Sequence, residues 1–163
     1  AVEDARLGFP EVTLPVIPGM EGCHWPFRKM PAEHWPRLLG MLLGGTPVKS
    51  KDATGWLVDF AGDLEASLVT AWKLASDRGR GSKRRAVDRG ALTGVPRDVA
   101  GLPEAEPATA AARAAIMECV QRACGAPLAD SLGIQAKMSG AFFTARECRA
   151  GRVGQEYSRT MEV

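Results

Sequence analysis

Little in this sequence runs to excess, and each shortage narrows what it can be. Lysine and arginine outnumber the acids by too little to matter: the net charge is +2 over 163 residues, which does not by itself point to a nucleic-acid partner. No apolar run approaches the roughly 18 residues that a membrane span needs. The four cysteines, Cys23, Cys119, Cys124 and Cys148, include no CxxC and no zinc-type pairing, and no signal-peptide pattern opens the chain. A reduced, cytoplasmic protein with free thiols is the expectation. Only two histidines occur, His24 and His34, and neither sits in a motif. A packed or capped histidine beside Trp25 or Trp35 is therefore expected rather than an acid/base pair. No internal repeat is present. What remains is an ordinary globular balance, 45% apolar against 25% charged residues, enough for one domain with a core. The opening residues Ala1 to Arg6 show no Met, leader or cap before the first strand-like run, and the chain reads as cut at its start.

Periodicity and punctuation give the organisation. Between Leu7 and Ile17, apolar Phe9, Val12, Leu14, Val16 and Ile17 are interrupted by Pro10 and Pro15, which predicts a strand edge or extended loop. Pro18-Gly19-Met20-Glu21-Gly22 predicts a tight turn whose glycines allow a backbone N–H close to a ligand. A helix is expected from Pro31 to about Leu43, with an apolar face of Leu38, Leu39, Leu42 and Leu43 and a stop at Gly44-Gly45. A short helix after Ser50 should lead into a short buried strand, Trp56-Leu57-Val58. Asp63 is a good N-cap for a helix with Leu64, Leu68, Trp72 and Ala75 in one stripe, and that stripe should pack on something. From 77 to 106 Gly, Pro and charge dominate, with a basic run of Arg78, Arg80, Lys83, Arg84, Arg85 and Arg89, read as a linker or long loop. An Ala-rich helix should run from Pro107 to about Cys124. Another should follow Pro127, with Leu128, Leu132, Gln135 or Ala136, and Phe142 on one side. Thr144-Ala145-Arg146-Glu147 has capping-box spacing and predicts a last helix from Thr144.

Several of these segments carry a family pattern. The run from Glu3 to Val12, with Phe9-Pro10-Glu11-Val12 at its end, is followed by Ile17-Pro18-Gly19-Met20-Glu21-Gly22. Leu42-Leu43-Gly44-Gly45-Thr46-Pro47-Val48 and Lys51-Asp52-Ala53-Thr54-Gly55-Trp56-Leu57-Val58-Asp59 come next. In order and spacing these runs resemble the middle of the crotonase (enoyl-CoA hydratase/isomerase) superfamily. The likeness is specific over residues 1–76 and looser over 107–152, where the Thr144 to Gly151 segment is similar to a late family pattern. It implies an α/β fold: a partial ββα spiral core over 1–76, the linker over 77–106, and a C-terminal helical oligomerisation region over 107–163. It also implies that an upstream half or a partner chain supplies further strands, both oxyanion-hole amides and often a first carboxylate. Strands built for cover on both faces would otherwise expose their edges.

Hydrating an enoyl thioester, or shifting its double bond, needs a proton donor and acceptor at carbon and amide dipoles at the thioester oxygen. By the resemblance, Glu11 matches a catalytic glutamate, Gly19 the glycine whose N–H faces the reacting water, and Glu21 a site to which some relatives move a working carboxylate. Glu21 departs from the small residue usual in that turn. Phe9, Ile17, Pro18 and Phe142 are the implied substrate-binding residues, Phe142 reaching acyl-CoA across a subunit boundary. The family's terminal basic segment is replaced by Gln155-Glu156-Tyr157-Ser158-Arg159. Read without the resemblance, Glu11 is a surface carboxylate at a strand end, Gly19 a turn glycine and Phe142 helix packing. The basic run could meet the phosphates of coenzyme A or be a solvated loop. The expected partners are an acyl-CoA substrate, the missing half, and further copies in a trimer or hexamer, with neither nucleic acid nor membrane. Coenzyme A enters as the substrate's thioester, and no metal or redox cofactor is implied. Alternatives are acyl-CoA hydrolysis or cyclic acyl-CoA chemistry on the same fold, or a non-catalytic assembly chain.

Overall fold

A computed structural model describes residues 1–76 and 86–150. The architecture is mixed and helix-rich, with one small antiparallel sheet: β1 (Arg6–Leu7) pairs with β2 (Val48–Lys49), Arg6 opposite Lys49 and Leu7 opposite Val48. The helices are α1 (Trp25–Lys29), α2 (Trp35–Gly44), α3 (Leu64–Ser76), α4 (Pro107–Cys124), α5 (Leu128–Phe143) and α6 (Arg146–Ala150).

The core is a meeting of α2 and α4. Leu38, Leu39 and Leu42 on one side and Ile116, Cys119 and Val120 on the other are completely enclosed, with Val12 and Phe27 closing the ends. The segment from 86 to 106 is non-helical, as a long loop should be, yet it is strapped down. Leu92 is buried, its N–H donates to Cys124 O at 2.8 Å, and Gln121 Nε2 donates to Pro96 O at 2.7 Å. Of the basic run only Arg89 lies within the described residues; its carbonyl accepts from Leu128 N–H at 3.0 Å. The rest of that run, and Gln155 to Arg159, lie outside them.

Arg28 ties this strap to the helices. It is 2% exposed. Nη1 donates to the carbonyls of Asp88 (3.0 Å) and Gly90 (2.6 Å), and Nη2 to those of Ala123 (3.1 Å) and Ala126 (2.6 Å) and to Ser131 Oγ (2.7 Å). The guanidinium fork thus satisfies the chain ends between α4 and α5, where helix carbonyls lack partners.

Local punctuation sets several boundaries. Gly45 ends α2 in the left-handed region at φ 68°, its N–H on Met41 O. A Cβ there would come 2.6 Å from Thr13 Cγ2, so only glycine fits. Asp63 Oδ1 accepts the Ala66 N–H at 2.7 Å and caps α3. The α4 bounds fall at the expected Pro107 and Cys124.

Other expectations are corrected. Residues 10–13 form a 3-10 turn instead of continuing extended, because Pro10 begins it and Thr13 Oγ1 donates back to Pro10 O at 2.7 Å. Trp56-Leu57-Val58 is not a strand: the N–H groups of Leu57 and Val58 both turn back onto Ala53 O, although Trp56 is buried as expected. The second helix starts at Trp35 with Pro36 in its first turn, after a separate 3-10 turn at Ala32–His34. Thr144 ends α5 rather than opening α6, its hydroxyl donating to Ala141 O at 3.0 Å. The α3 stripe is uncovered by any described residue, with Leu64 62%, Leu68 61% and Trp72 74% exposed.

Candidate functional site

The site is organised around the bend from Pro18 to Cys23. Gly22 N–H donates to Gly19 O at 2.9 Å and closes the bend internally. Met20 and Glu21 both take left-handed φ, 47° and 64°, a conformation that glycine adopts freely and other residues at a cost. That preference explains why a small residue would be usual where Glu21 stands. Gly22 is also required to be small, since a Cβ would lie 2.9 Å from Pro18 Cβ. The Glu21 carbonyl accepts the N–H groups of His24 (3.1 Å) and Trp25 (2.9 Å), which turns the chain into α1.

Glu11 stands in the 3-10 turn that precedes this bend. Its carbonyl accepts from Leu14 N–H (3.0 Å) and Val16 N–H (3.1 Å), so the main chain folds around it. Its Oε2 is buried and has no hydrogen-bond partner among the described residues. It lies near enough to Cys23 for its charge to push that thiol upward. The Cys23 thiol is held well above the ordinary range mainly by its hydrogen bond with Cys119 and by burial, the Glu11 charge adding to them. Cys124, enclosed beside them, is pushed up to about 12 by burial. One oxygen of the carboxylate is thus enclosed on the side of Cys23, while the residue as a whole is half-buried.

The remaining sequence-predicted residues fall into two groups. Phe9 and Pro18 pack around the bend: Pro18 is fully buried, and Phe9 Cε1 lies 3.6 Å from where a Gly22 Cβ would stand. Gly19 is exposed, and a Cβ on it would meet nothing within 4 Å. Ile17 and Phe142, by contrast, line a cleft of about 780 Å³ between α4 and α5, whose wall also holds the charged residues Glu118, Arg122, Asp130 and Lys137. Glu11, Gly19 and Glu21 are not among the residues that line it. Ile17 joins the two regions, being next to Pro18 in the chain and part of the cleft wall.

Three residues of this neighbourhood were not singled out from sequence as part of it. Gln135, on α5, is 3% exposed and bonded to both ends of the bend. His24 is completely enclosed, and neither ring nitrogen has a partner among the described residues; burial lowers its pKa from the usual histidine value, the nearby Glu21 raising it and Arg28 lowering it further. Arg28 forms the latch already described. A polar residue on an otherwise apolar helix stripe was the available signal for Gln135. His34 is partly exposed and lies 3.4 Å from Glu33.

Among the described residues no cluster of three or more His, Cys, Asp or Glu could hold a metal ion, and no described helix is long and apolar enough to cross a membrane. In comparisons with known proteins the chain matches no family model, no curated protein and no solved structure.

Proposed function

We propose that this chain is the C-terminal portion of a crotonase-type acyl-CoA enzyme that adds water to, or shifts the double bond of, an enoyl-CoA thioester, working as a cytoplasmic oligomer. The observation that carries the reading is the Glu11 carboxylate: one oxygen is buried beside the Pro18–Cys23 bend and has no partner among the described residues. Buried polar atoms are rarely left without partners, and a carboxyl held ready for a ligand's proton accounts for this one. The motif order supports it, with Phe9-Pro10-Glu11 ahead of Ile17-Pro18-Gly19 as the family pattern requires. In this reading the two-residue sheet is a fragment of a larger spiral core completed by other chain.

In hydration, water adds through oxygen at the β-carbon while a proton reaches the α-carbon, and the thioester oxygen carries negative charge between the two events. Glu11 exchanges the proton with water and carbon. The Gly19 N–H, on an open and unencumbered backbone, orients the water. Amides from the segment that completes the site hold the oxyanion. Ile17 and Phe142 offer apolar contact to the acyl portion, and Glu21 stands at the strained turn as a second carboxylate within reach of the bend.

The test is Glu11→Gln in the native assembly. Crotonyl-CoA hydration should fall by roughly a hundredfold or more, the scale of a lost acid/base group, with thioester binding retained. An unchanged rate would remove Glu11 from the chemistry and leave hydrolysis, cyclic acyl-CoA chemistry or an assembly role.

A further inference from the structure

The two ends of the Pro18–Cys23 bend are held by one side chain from a distant helix. Gln135 Oε1 accepts the Cys23 N–H at 3.1 Å, and Gln135 Nε2 donates to Pro18 O at 2.8 Å. The partners lie 112 and 117 residues away in the chain, and the amide is nearly solvent-free. Its orientation follows from chemistry, because a backbone N–H needs the oxygen and a carbonyl needs the nitrogen. Between these two anchors the bend is closed by its own Gly22 N–H to Gly19 O bond, while the Met20 side chain is fully exposed and two consecutive non-glycine residues take left-handed φ. Such a conformation persists only when its surroundings impose it.

We propose that Gln135 is a positioning residue: by clamping Pro18 O and Cys23 N–H it sets the bend's shape and, through it, the place of the Gly19 N–H. The effect on turnover rests on the hydratase/isomerase reading above; the effect on the bend does not. The pattern demanded of the side chain is one donor and one acceptor side by side. A neutral carboxylic acid of the same length supplies both, through its O–H and its carbonyl oxygen. A carboxylate supplies acceptors only and would face the Pro18 carbonyl with like charge.

This difference makes Gln135→Glu a conditional variant. In that buried position the introduced carboxyl is biased toward its neutral form. At acid pH the clamp should be intact; as pH rises through the introduced group's pKa it should open. The experiment follows two quantities against pH, each as a ratio of variant to parent: the amide-exchange protection of Cys23, and kcat for crotonyl-CoA hydration. Both should start near unity at acid pH. Protection should then collapse, and kcat should fall by about tenfold or more, as befits a lost orienting contact, with the two curves coinciding. Gln135→Met, which keeps the volume and removes both bonds, should be low in both ratios at every pH.

A Cys23 protection ratio that stays near unity for Gln135→Met, which lacks both bonds at every pH, overturns the clamp. Protection that collapses while the kcat ratio stays flat overturns positioning and leaves a structural staple. If the parent and Glu11→Gln hydrate crotonyl-CoA equally, the enzymatic reading fails by itself, and the clamp stands or falls on the protection curve.

Discussion

His24 shows how a single residue ties the fold to pH. The ring is enclosed with both nitrogens unpartnered among the described residues, and burial lowers its pKa. An unfolded histidine titrates near 6.5, so below that pH the unfolded chain takes up a proton that the folded chain refuses. Folding stability should therefore decline as pH falls through about 6.5 and go on declining until the lower folded value is reached. Urea denaturation of the parent and of His24→Gln across this range should show the decline in the parent and a shallower one in the variant. Parallel curves would mean that the imidazole is solvated in the folded state. At this scale the sequence supplied residue types. It predicted a packed or capped His24 and offered the apolar stripe as a signal for Gln135, but gave no indication that Arg28 is enclosed, since that depends on which distant elements cover it. Glu21 was visible as an anomaly of type, and its φ of 64° supplies the reason.

Elements were legible where their own residues close them. Asp63 and Gly45 bracket helices by local hydrogen bonds and backbone preference, and Pro107 opens α4 because a proline lacks the N–H that a first turn leaves unused. Elements were misread where two local solutions compete. Pro10 to Thr13 and Trp56 to Val58 carry strand-like side chains, yet each curls onto a nearby carbonyl. The α3 helix has the reverse character. Its stripe is well formed in sequence and uncovered in the structure, and a 13-residue helix gains little stability in water on its own. Leu68→Gln should consequently leave the unfolding free energy within about 0.5 kcal/mol of the parent, while lowering the binding of a hydrophobic dye such as ANS. A loss above about 1 kcal/mol would show that Leu68 is covered in solution.

For the whole molecule, the enclosed thiols report on whether α1, α4 and the bend stay packed together. Cys23, Cys119 and Cys124 are fully buried; the hydrogen bond with Cys119 together with burial holds the Cys23 thiol, and burial the Cys124 thiol, in the unreactive protonated form. A thiol reagent at pH 8 should leave these three unmodified over times in which all are labelled in 6 M guanidinium chloride. Rapid labelling of any one in native buffer would mean that this core opens readily.

The amino-acid sequence by itself determined the Gly45 stop of α2, the Asp63 cap of α3, the bounds of α4 and the broadly α/β character, because each of these depends on residues a few positions apart. Tertiary structure alone decided that the 86–106 loop is strapped onto the helices, that one Glu11 oxygen is buried without a partner among the described residues, and that one amide on α5 holds both ends of the bend. Those facts depend on contacts between residues well separated in the chain, 25 positions for Gln121 and Pro96 and 117 for Gln135 and Pro18, whose hydrogen-bonding needs no local pattern records.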